Sequence, residues 1–358
     1  MSAGRFQVRK AGADDFEARD RFVLAHGEGT VFHRPHWGRA VALQFGHPQE
    51  DLLAFDGDQL VGLLPLSLCR GLGGGRALIS VPYGVYGGGL EIQAGAVAAL
   101  QCAALEEAQG RGLARLELRN RETLSDPDVP QEGYAVSPLT SELYCGFRHE
   151  LPATADQVLN TIPKKARADV RRARNKLGLV LDEGPWYLPD LVTLFQANKQ
   201  ALGSPALPLS WFERLLDGLQ PGVKIHVVRQ GSQILSAVMS FIYRDELHAY
   251  YSGTLPGADR EFKASSFMYC ALQEWAIERG IKVFDFGRSR RGSGAADFKR
   301  RQGFEARDLP YAYFLVKDKG LPSMNPSNPK TAPLRKLWTQ LPAGVAVRMG
   351  GLASRFLP

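Results

Sequence analysis

One pattern occurs twice along this chain. Residues 52–68 read LLAFDGDQLVGLLPLSL and residues 225–242 read IHVVRQGSQILSAVMSFI. Each is a short apolar strand, a tight turn on Gly57 or Gly231, and a longer apolar strand. A Tyr/Gly-rich stretch follows each, Tyr83 to Gly89 in the first copy and Tyr250 to Gly253 in the second. Next comes a helix (about 94–111 and 261–280), a glycine that stops it (Gly112, Gly280), and another strand (113–118 and 281–286). Self-similarity at so long a period is the mark of a duplicated structural unit. The fold class is therefore α/β (α+β): two domains in tandem, each a mixed central sheet flanked by helices. Two such halves predict a cleft between them as the place for a ligand.

At 358 residues the chain can hold two cores. Hydrophobic content of 44% and charged content of 23% suit a folded globular protein. The net charge of +7 favours anionic partners: nucleic acid, phosphorylated substrates or an anionic membrane surface. Cys69, Cys102, Cys145 and Cys270 are scattered with no metal or redox spacing, and read as buried, reduced and structural. The stretch MSAGRFQVRKAGADDFEARD lacks the apolar core of a signal peptide, and no window is as long and apolar as a spanning helix. The expected location is the cytoplasm. The tail, Leu334 to Leu357, is apolar and basic with no acid, and is the segment suited to the inner face of a membrane.

Four segments follow: 1–155 as an N-terminal domain, 156–177 as a basic connecting helix, 178–318 as a C-terminal domain, and 319–358 as a Pro-rich linker with the basic tail. Helices are expected at 13–25, near 37–45, 156–176, 190–202, 210–219 with Ser210 as N-cap, and 295–302. A final strand is expected at 311–317.

The densest basic run lies in the connecting helix. Lys164, Arg167, Arg171 and Arg174 recur at spacings of three and four along one face, while Ala166, Val170 and Ala173 mark the packed side. Such an array can hold a phosphate-rich ligand, or it can be a solvated face. Asp285 to Gly294 sits where a buried strand ends, the place where α/β folds gather ligands. There Arg288 can grip carboxylate or phosphate. Its Asp-Phe-Gly tripeptide has no accompanying kinase motif and is chance. Lys299, flanked by Phe298, could steady charge on a tetrahedral intermediate or be a surface lysine. Tyr83, Tyr86, Gly87 and Tyr251 could line a pocket or pack at strand ends. Arg70 to Arg76 lacks the ending of a phosphate-binding loop and reads as a flexible hairpin. His26, His33, His36 and His47 have no metal-ligand spacing, and no GxSxG elbow is present, so neither a metal site nor a covalent nucleophile is expected.

With these pieces placed, the chain resembles the FemAB family, and more narrowly the FemAB-like proteins associated with exosortase/PEP-CTERM exopolysaccharide systems. The matching stretches are FHRPHWGRA, VGLLPLSL, SVPYGVYGGG, IPKKARADVRRARNKLGL, FDFGRSRRGSGAADFKRRQGFE and the tail NPSNPK with KLW. The resemblance implies two tandem GNAT-like acyltransferase domains. It also implies aminoacyl transfer to a peptidoglycan precursor from aminoacyl-tRNA, a basic segment at Lys164 to Lys176, and an aromatic-Lys motif at Phe298-Lys299 that handles the acyl donor. The long coiled-coil arm frequent in the family has no counterpart here, and no Q/R-x-x-G-x-G/A loop precedes the helices. The donor thus stays open between aminoacyl-tRNA and acyl-CoA.

The expected function is an N-acyl or aminoacyl transferase acting on an amine of a cell-envelope, exopolysaccharide or peptidoglycan precursor. The expected catalytic residues are Lys299 and Asp285. The expected substrate-binding residues are Arg288, Tyr83, Tyr86, Gly87, Tyr251, His33, Trp37, Arg167 and Arg171. No bound cofactor and no metal are expected. The partner would be an anionic small-molecule or lipid-linked saccharide or peptide precursor, with tRNA as a further one. Two rival classes are a non-catalytic binder of RNA or polysaccharide and a membrane-surface scaffold.

Overall fold

A computed structural model describes residues 5–71, 74–121, 139–140, 143–321 and 332–358. By contacts the chain forms two compact units. The first takes residues 1–142, 309–324 and 354–358, and the second takes 143–308 and 325–353.

In the first unit the order is β1 (Gln7–Lys10), α1 (Phe16–Ala25), α2 (Pro35–Phe45), β2 (Leu52–Asp56), β3 (Gln59–Leu64), β4 (Ser67–Arg70), β5 (Arg76–Ile79), β6 (Leu90–Glu91), α3 (Ala96–Gly110), β7 (Arg115–Arg119) and β8 (Leu139–Thr140). One sheet runs β1-β2-β3-β6. β5 and β7 pair in parallel across the crossover helix α3. The α3 residues Leu100, Ala104 and Ala108, spaced by four, bury against the strands.

The second unit continues with β9 (Tyr144–Glu150), α4 (Val158–Thr161), α5 (Lys164–Asn175), β10 (Val180–Glu183), α6 (Leu188–Ala201), α7 (Leu209–Leu219), β11 (Val223–Gln230), β12 (Gln233–Tyr243), β13 (Glu246–Thr254), α8 (Ala258–Glu261), α9 (Ala264–Ile277), β14 (Val283–Arg290), α10 (Gly294–Arg301) and β15 (Ala306–Asp308). Its sheet has the order β10-β11-β12-β13-β14-β9-β15. β13 and β14 are the parallel pair, joined by α9. Phe267, Met268, Leu272 and Trp275 of α9 are buried, and α5 packs on this helix through Ala166, Val170 and Ala173. α6 lies against β12 and β13. The chain then returns to the first unit as β16 (Tyr311–Leu315), paired between β7 and β8, which completes the first unit's second sheet, β4-β5-β7-β16-β8. Two last helices of the second unit, α11 (Ala332–Gln340) and α12 (Ala343–Ala353), pack on α6.

Several expectations are corrected. The connecting helix is broken: Ile162 is extended ahead of Pro163, as the proline ring requires of its predecessor, so α5 starts at Lys164. α7 is preceded by Pro208, not capped by Ser210. The strand expected at 281–286 runs to Arg290, so Arg288 is on a strand and not in a loop. The strand at 311–315 belongs to the first unit's sheet, not to the second domain. Most of the Pro-rich linker, 322–331, lies outside the described residues, as do Leu72 and Gly73 of the glycine-rich hairpin.

Candidate active site

The parallel ladder between β13 and β14 is short. It joins Glu246 to Val283, Leu247 to Phe284 and His248 to Asp285, and ends there, although β13 continues to Thr254 and β14 to Arg290. Beyond Asp285, β14 pairs with β9 on its other side, Arg288 facing Gly146. Just past the parting point β13 carries a bulge. Met239 faces Tyr251 and Ser240 faces Ala249, so Tyr250 is the extra residue. A one-residue slip reverses the faces. Leu247 and Ala249 belong to the core beneath α9, but after the bulge Ser252 and Thr254 take that side. There Ser252 Oγ accepts the Tyr269 hydroxyl at 2.9 Å, and Thr254 Oγ1 meets Ser265 Oγ at 2.9 Å. β14 has its own irregularity between Asp285 and Arg288, turning at Gly287 with φ 64°.

Lys299 closes one side of this opening. α10 is capped by Ser293, whose Oγ accepts the Ala296 N–H at 3.3 Å, and Phe298 packs on the core beside Tyr269. Lys299 Nζ then donates to the carbonyls of Phe286 (2.7 Å), Gly287 (3.4 Å) and Arg288 (3.3 Å). The ammonium also lies 5.3 Å from the Phe147 ring centre and 5.6 Å from that of Phe286. Burial pushes its pKa down to about 8, against the opposing pull of Asp285 and Cys145. All three of its N–H donors are thus matched to the outer limb of β14. It acts on the strand, and the oxyanion contact expected from the sequence is not what its geometry provides.

Asp285 is fully buried, and its Oδ1 accepts the Gly287 N–H, which fixes the turn. Its Oδ2 lies 3.7 Å from His248 Nδ1, and His248 Nε2 lies 3.8 Å from Glu246 Oε1. Arg148 forks onto Glu246 at 2.9 and 3.4 Å. The donor atoms of Glu246, His248 and Asp285 come within 4.8 Å of one another, close enough for a metal ion. Glu246 is held by a guanidinium and Asp285 by a backbone amide, so the trio is already a charge network. Asp285 is too enclosed to take a proton directly from a substrate.

A family model described as "Acetyltransferase (GNAT) domain" matches residues 164–300, which include the parted strands and Lys299. A structure titled "Crystal structure of FemX" superposes with a TM-score of 0.65 at 13% identity, over 93% of this chain and 100% of that one. Residues 164–300 thus match a GNAT domain, and the chain as a whole has a tandem GNAT-like fold. L-PGS from Bacillus licheniformis shares the fold with a TM-score of 0.53 at 15% identity, covering 93% and 99%. A tandem GNAT protein from the clavulanic acid biosynthesis pathway does so at 0.54 and 12%, covering 88% and 100%. No curated protein matches the sequence.

Within the second unit, Arg288 is half-buried, with its guanidinium 4.7 Å from the Tyr144 ring centre. Lys199, on α6, lies over the Phe195 ring at 5.4 Å, and burial together with nearby Arg288 lowers its pKa. Lys199 and Arg288 are therefore neighbouring cations. α6 holds the β13 limb closely: Asn198 Nδ2 donates to Thr254 O at 2.6 Å and Asn198 Oδ1 accepts Thr254 N–H at 3.0 Å. Tyr251 is a packed residue of the unit's interior. It is 7% exposed, takes the Trp211 indole N–H at 3.0 Å, and packs edge-on against Phe195 and Phe212. Arg167 is engaged by the carbonyls that α4 leaves open, Ile162 O at 3.1 Å and Asn160 O at 3.3 Å. Arg174 pairs with Glu274 at 2.5 Å. Arg171 stays exposed, so the basic face is divided between structural and solvated cations. Two surface hollows of this unit lie elsewhere, one along Glu150–Ala153 and Gly280–Val283, the other at Glu183–Pro185 and Gln220–Ile225.

The first-unit residues are brought together, but as packing. Trp37 is fully buried and donates to Pro82 O at 3.0 Å. His33 Nε2 donates to Gly88 O at 2.9 Å, and Nδ1 meets Thr30 Oγ1 at 2.7 Å. Burial lowers its pKa to about 4, so the ring is neutral. Tyr83 stacks on Phe45 at 4.0 Å and donates to Ser354 O at 3.0 Å; Tyr86 is 3% exposed. A Cβ on Gly87 would lie 2.2 Å from Val81 Cγ2, so only glycine fits. These five residues pack together around the 81–89 loop. The sequence reading missed Glu246, His248 and Lys199, and took Tyr250 only as part of a Tyr/Gly-rich stretch, not as a bulge. The periodicity of β13 gave the strand but not its partner, and Lys199 looks like any helical lysine.

Proposed function

We propose that this protein transfers an acyl or aminoacyl group to an amine on a cell-envelope saccharide or peptide precursor, with the reaction centred where β13 and β14 part. The observation that carries the reading is the pairing of a parallel ladder ending at His248–Asp285 with a bulge at Tyr250 immediately beyond it. A bulge takes backbone amide groups out of the ladder, and amides fixed in a water-poor opening can polarise a carbonyl. The donor's carbonyl lies against the β13 limb. The acceptor amine attacks the carbonyl carbon, a C–N bond forms, and the bond to the donor's sulfur or oxygen breaks. The leaving thiol or hydroxyl takes up the proton that the amine gives up. Lys299 is a positioning residue that holds the β14 limb open. Arg288 and Lys199 meet the anionic part of donor or acceptor. The donor is an aminoacyl-tRNA or an acyl-CoA.

The test is intact-mass analysis of envelope precursors from cells with the gene, without it, and complemented with Lys299→Met. A mass increment of one acyl or aminoacyl group should be present with the gene, absent without it, and strongly reduced with the variant. Identical precursor pools in cells with and without the gene would sink the reading.

A further inference from the structure

Helix α12 is packed inside out, and α11 beside it leaves two leucines exposed. A soluble helix buries its large apolar residues and shows small or polar ones to water. On α12 the docked side is small. Ala346 is 4% exposed, and a Cβ on Gly350 would lie 3.0 Å from both Ala206 N and Ala206 O, so the α12 backbone rests directly on the segment after α6. Gln200 Nε2 on α6 ties down Leu341 O at 2.6 Å. The outward side is large. Leu334 and Leu337 on α11 are 67% and 58% exposed; Val345, Met349 and Leu352 on α12 are 43%, 46% and 67% exposed. Their spacings, three on α11 and then four and three on α12, put each set on one helix face. Leu202, beside the Gly203 that touches Arg335, is 69% exposed. Single exposed leucines are ordinary, but such a patch on two adjoining helices marks an interaction surface.

Charge says what covers it. From Lys319 to the last residue there are six cations and no acidic residue. Lys336 and Arg348 are themselves exposed on the two helices. Apolar faces flanked by cations alone suit the surface of an anionic bilayer, where side chains enter the acyl boundary and cations meet lipid phosphates. We propose that α11 and α12 form a peripheral membrane-docking hairpin that places the second GNAT unit on an anionic lipid surface.

The experiment uses the full chain and vesicles of phosphatidylcholine with or without phosphatidylglycerol, read by flotation and independent of catalysis. Binding to the anionic vesicles is expected, with weak binding to the neutral ones and a decline as salt rises. Leu337→Ser combined with Leu352→Ser should weaken binding by about tenfold or more. Lys336→Glu combined with Arg348→Glu should abolish the preference for anionic lipid. Both pairs are exposed, so circular dichroism and melting should match the parent. Absence of flotation, or flotation unchanged by both double variants, overturns the proposal. So does a concentration-dependent dimer in sedimentation velocity that the leucine variant abolishes, which would make the patch a contact between copies of this chain.

Discussion

The half-buried ammonium of Lys299 sets the expected pH behaviour of the β14 limb. Lys299 is protonated below about pH 8 and loses its proton above it. Neutral lysine keeps only two N–H donors for the three carbonyls it holds, so the β14 limb loosens as pH rises. Transfer activity should therefore decline through about pH 8. Lys299→Arg, whose cation persists, should shift or remove that decline, and Lys299→Met should be low throughout. An alkaline limb unchanged in Lys299→Arg would show that another group titrates. Stability runs the opposite way. The folded pKa lies below the ordinary lysine value, so the penalty for burying the ammonium is full below about 8 and is relieved towards 10.5. A second residue-scale expectation concerns Asp51. Fully enclosed, it takes the Arg19 guanidinium, the Leu66 N–H at 2.9 Å and the Gln49 amide at 3.0 Å. Asp51→Ala strands a buried cation, and urea titration should show a loss of about 3–5 kcal/mol. A loss near zero would mean that water or another anion fills the place.

At the scale of elements, the contact of α6 with β13 sets the geometry of the opening. A Cβ on Gly253 would lie 2.4 Å from both Leu194 C and Phe195 N, which are backbone atoms of the helix. Gly253→Ala must push α6 off the strand that bears the bulge. It should cost about 1–3 kcal/mol and lower activity more than that stability loss alone explains. Gly218 is the contrast: it lies inside α7 with nothing within 4 Å of an added Cβ. Gly218→Ala should stabilise by about 0.5–1 kcal/mol through helix propensity, with activity unchanged. Equal effects from the two changes, in thermal melts and activity assays, would contradict this assignment. The same elements show what a sequence reveals. Alternating apolar residues and the glycine turns made the β11–β12 hairpin legible, and Ala166, Val170 and Ala173 were legible as the packed side of α5. The bulge was not, because Tyr250 and Tyr251 are both aromatic and leave no break in composition. The tail's reversed packing was equally hidden, since periodicity finds an apolar face without saying which face is docked.

For the whole molecule, the duplication was legible because each copy keeps a hairpin, a crossover helix and a parallel strand. Its divergence was not. In the first copy Val81 and Tyr83 take φ of 41° and 62°, and Pro82 lacks an amide hydrogen, so the chain forms a packed loop where the second copy continues β13. β16 returns to the first sheet from far along the chain, a pairing that no local pattern announces. Each unit also holds a histidine that burial keeps neutral, and such groups make the whole protein acid-sensitive. Burial lowers His33 in the first unit and His226 in the second to about 4. The unfolded chain takes up those protons near 6.5, before the folded one does, so stability present above 6.5 is lost as pH falls towards 4. His226 isolates the effect. It is fully buried on β11, edge-on to Trp275 at 4.4 Å, and neither ring nitrogen has a hydrogen-bond partner among the described residues. His226→Leu removes a costly unmatched polar group, so at neutral pH it should be as stable as the parent or more so. Between about pH 7 and 5 the parent should lose about 1–2 kcal/mol more than the variant in urea titrations. Parallel pH curves for the two proteins would show that His226 is protonated inside the fold and that Glu183, 3.9 Å away, carries more of its balance than burial does.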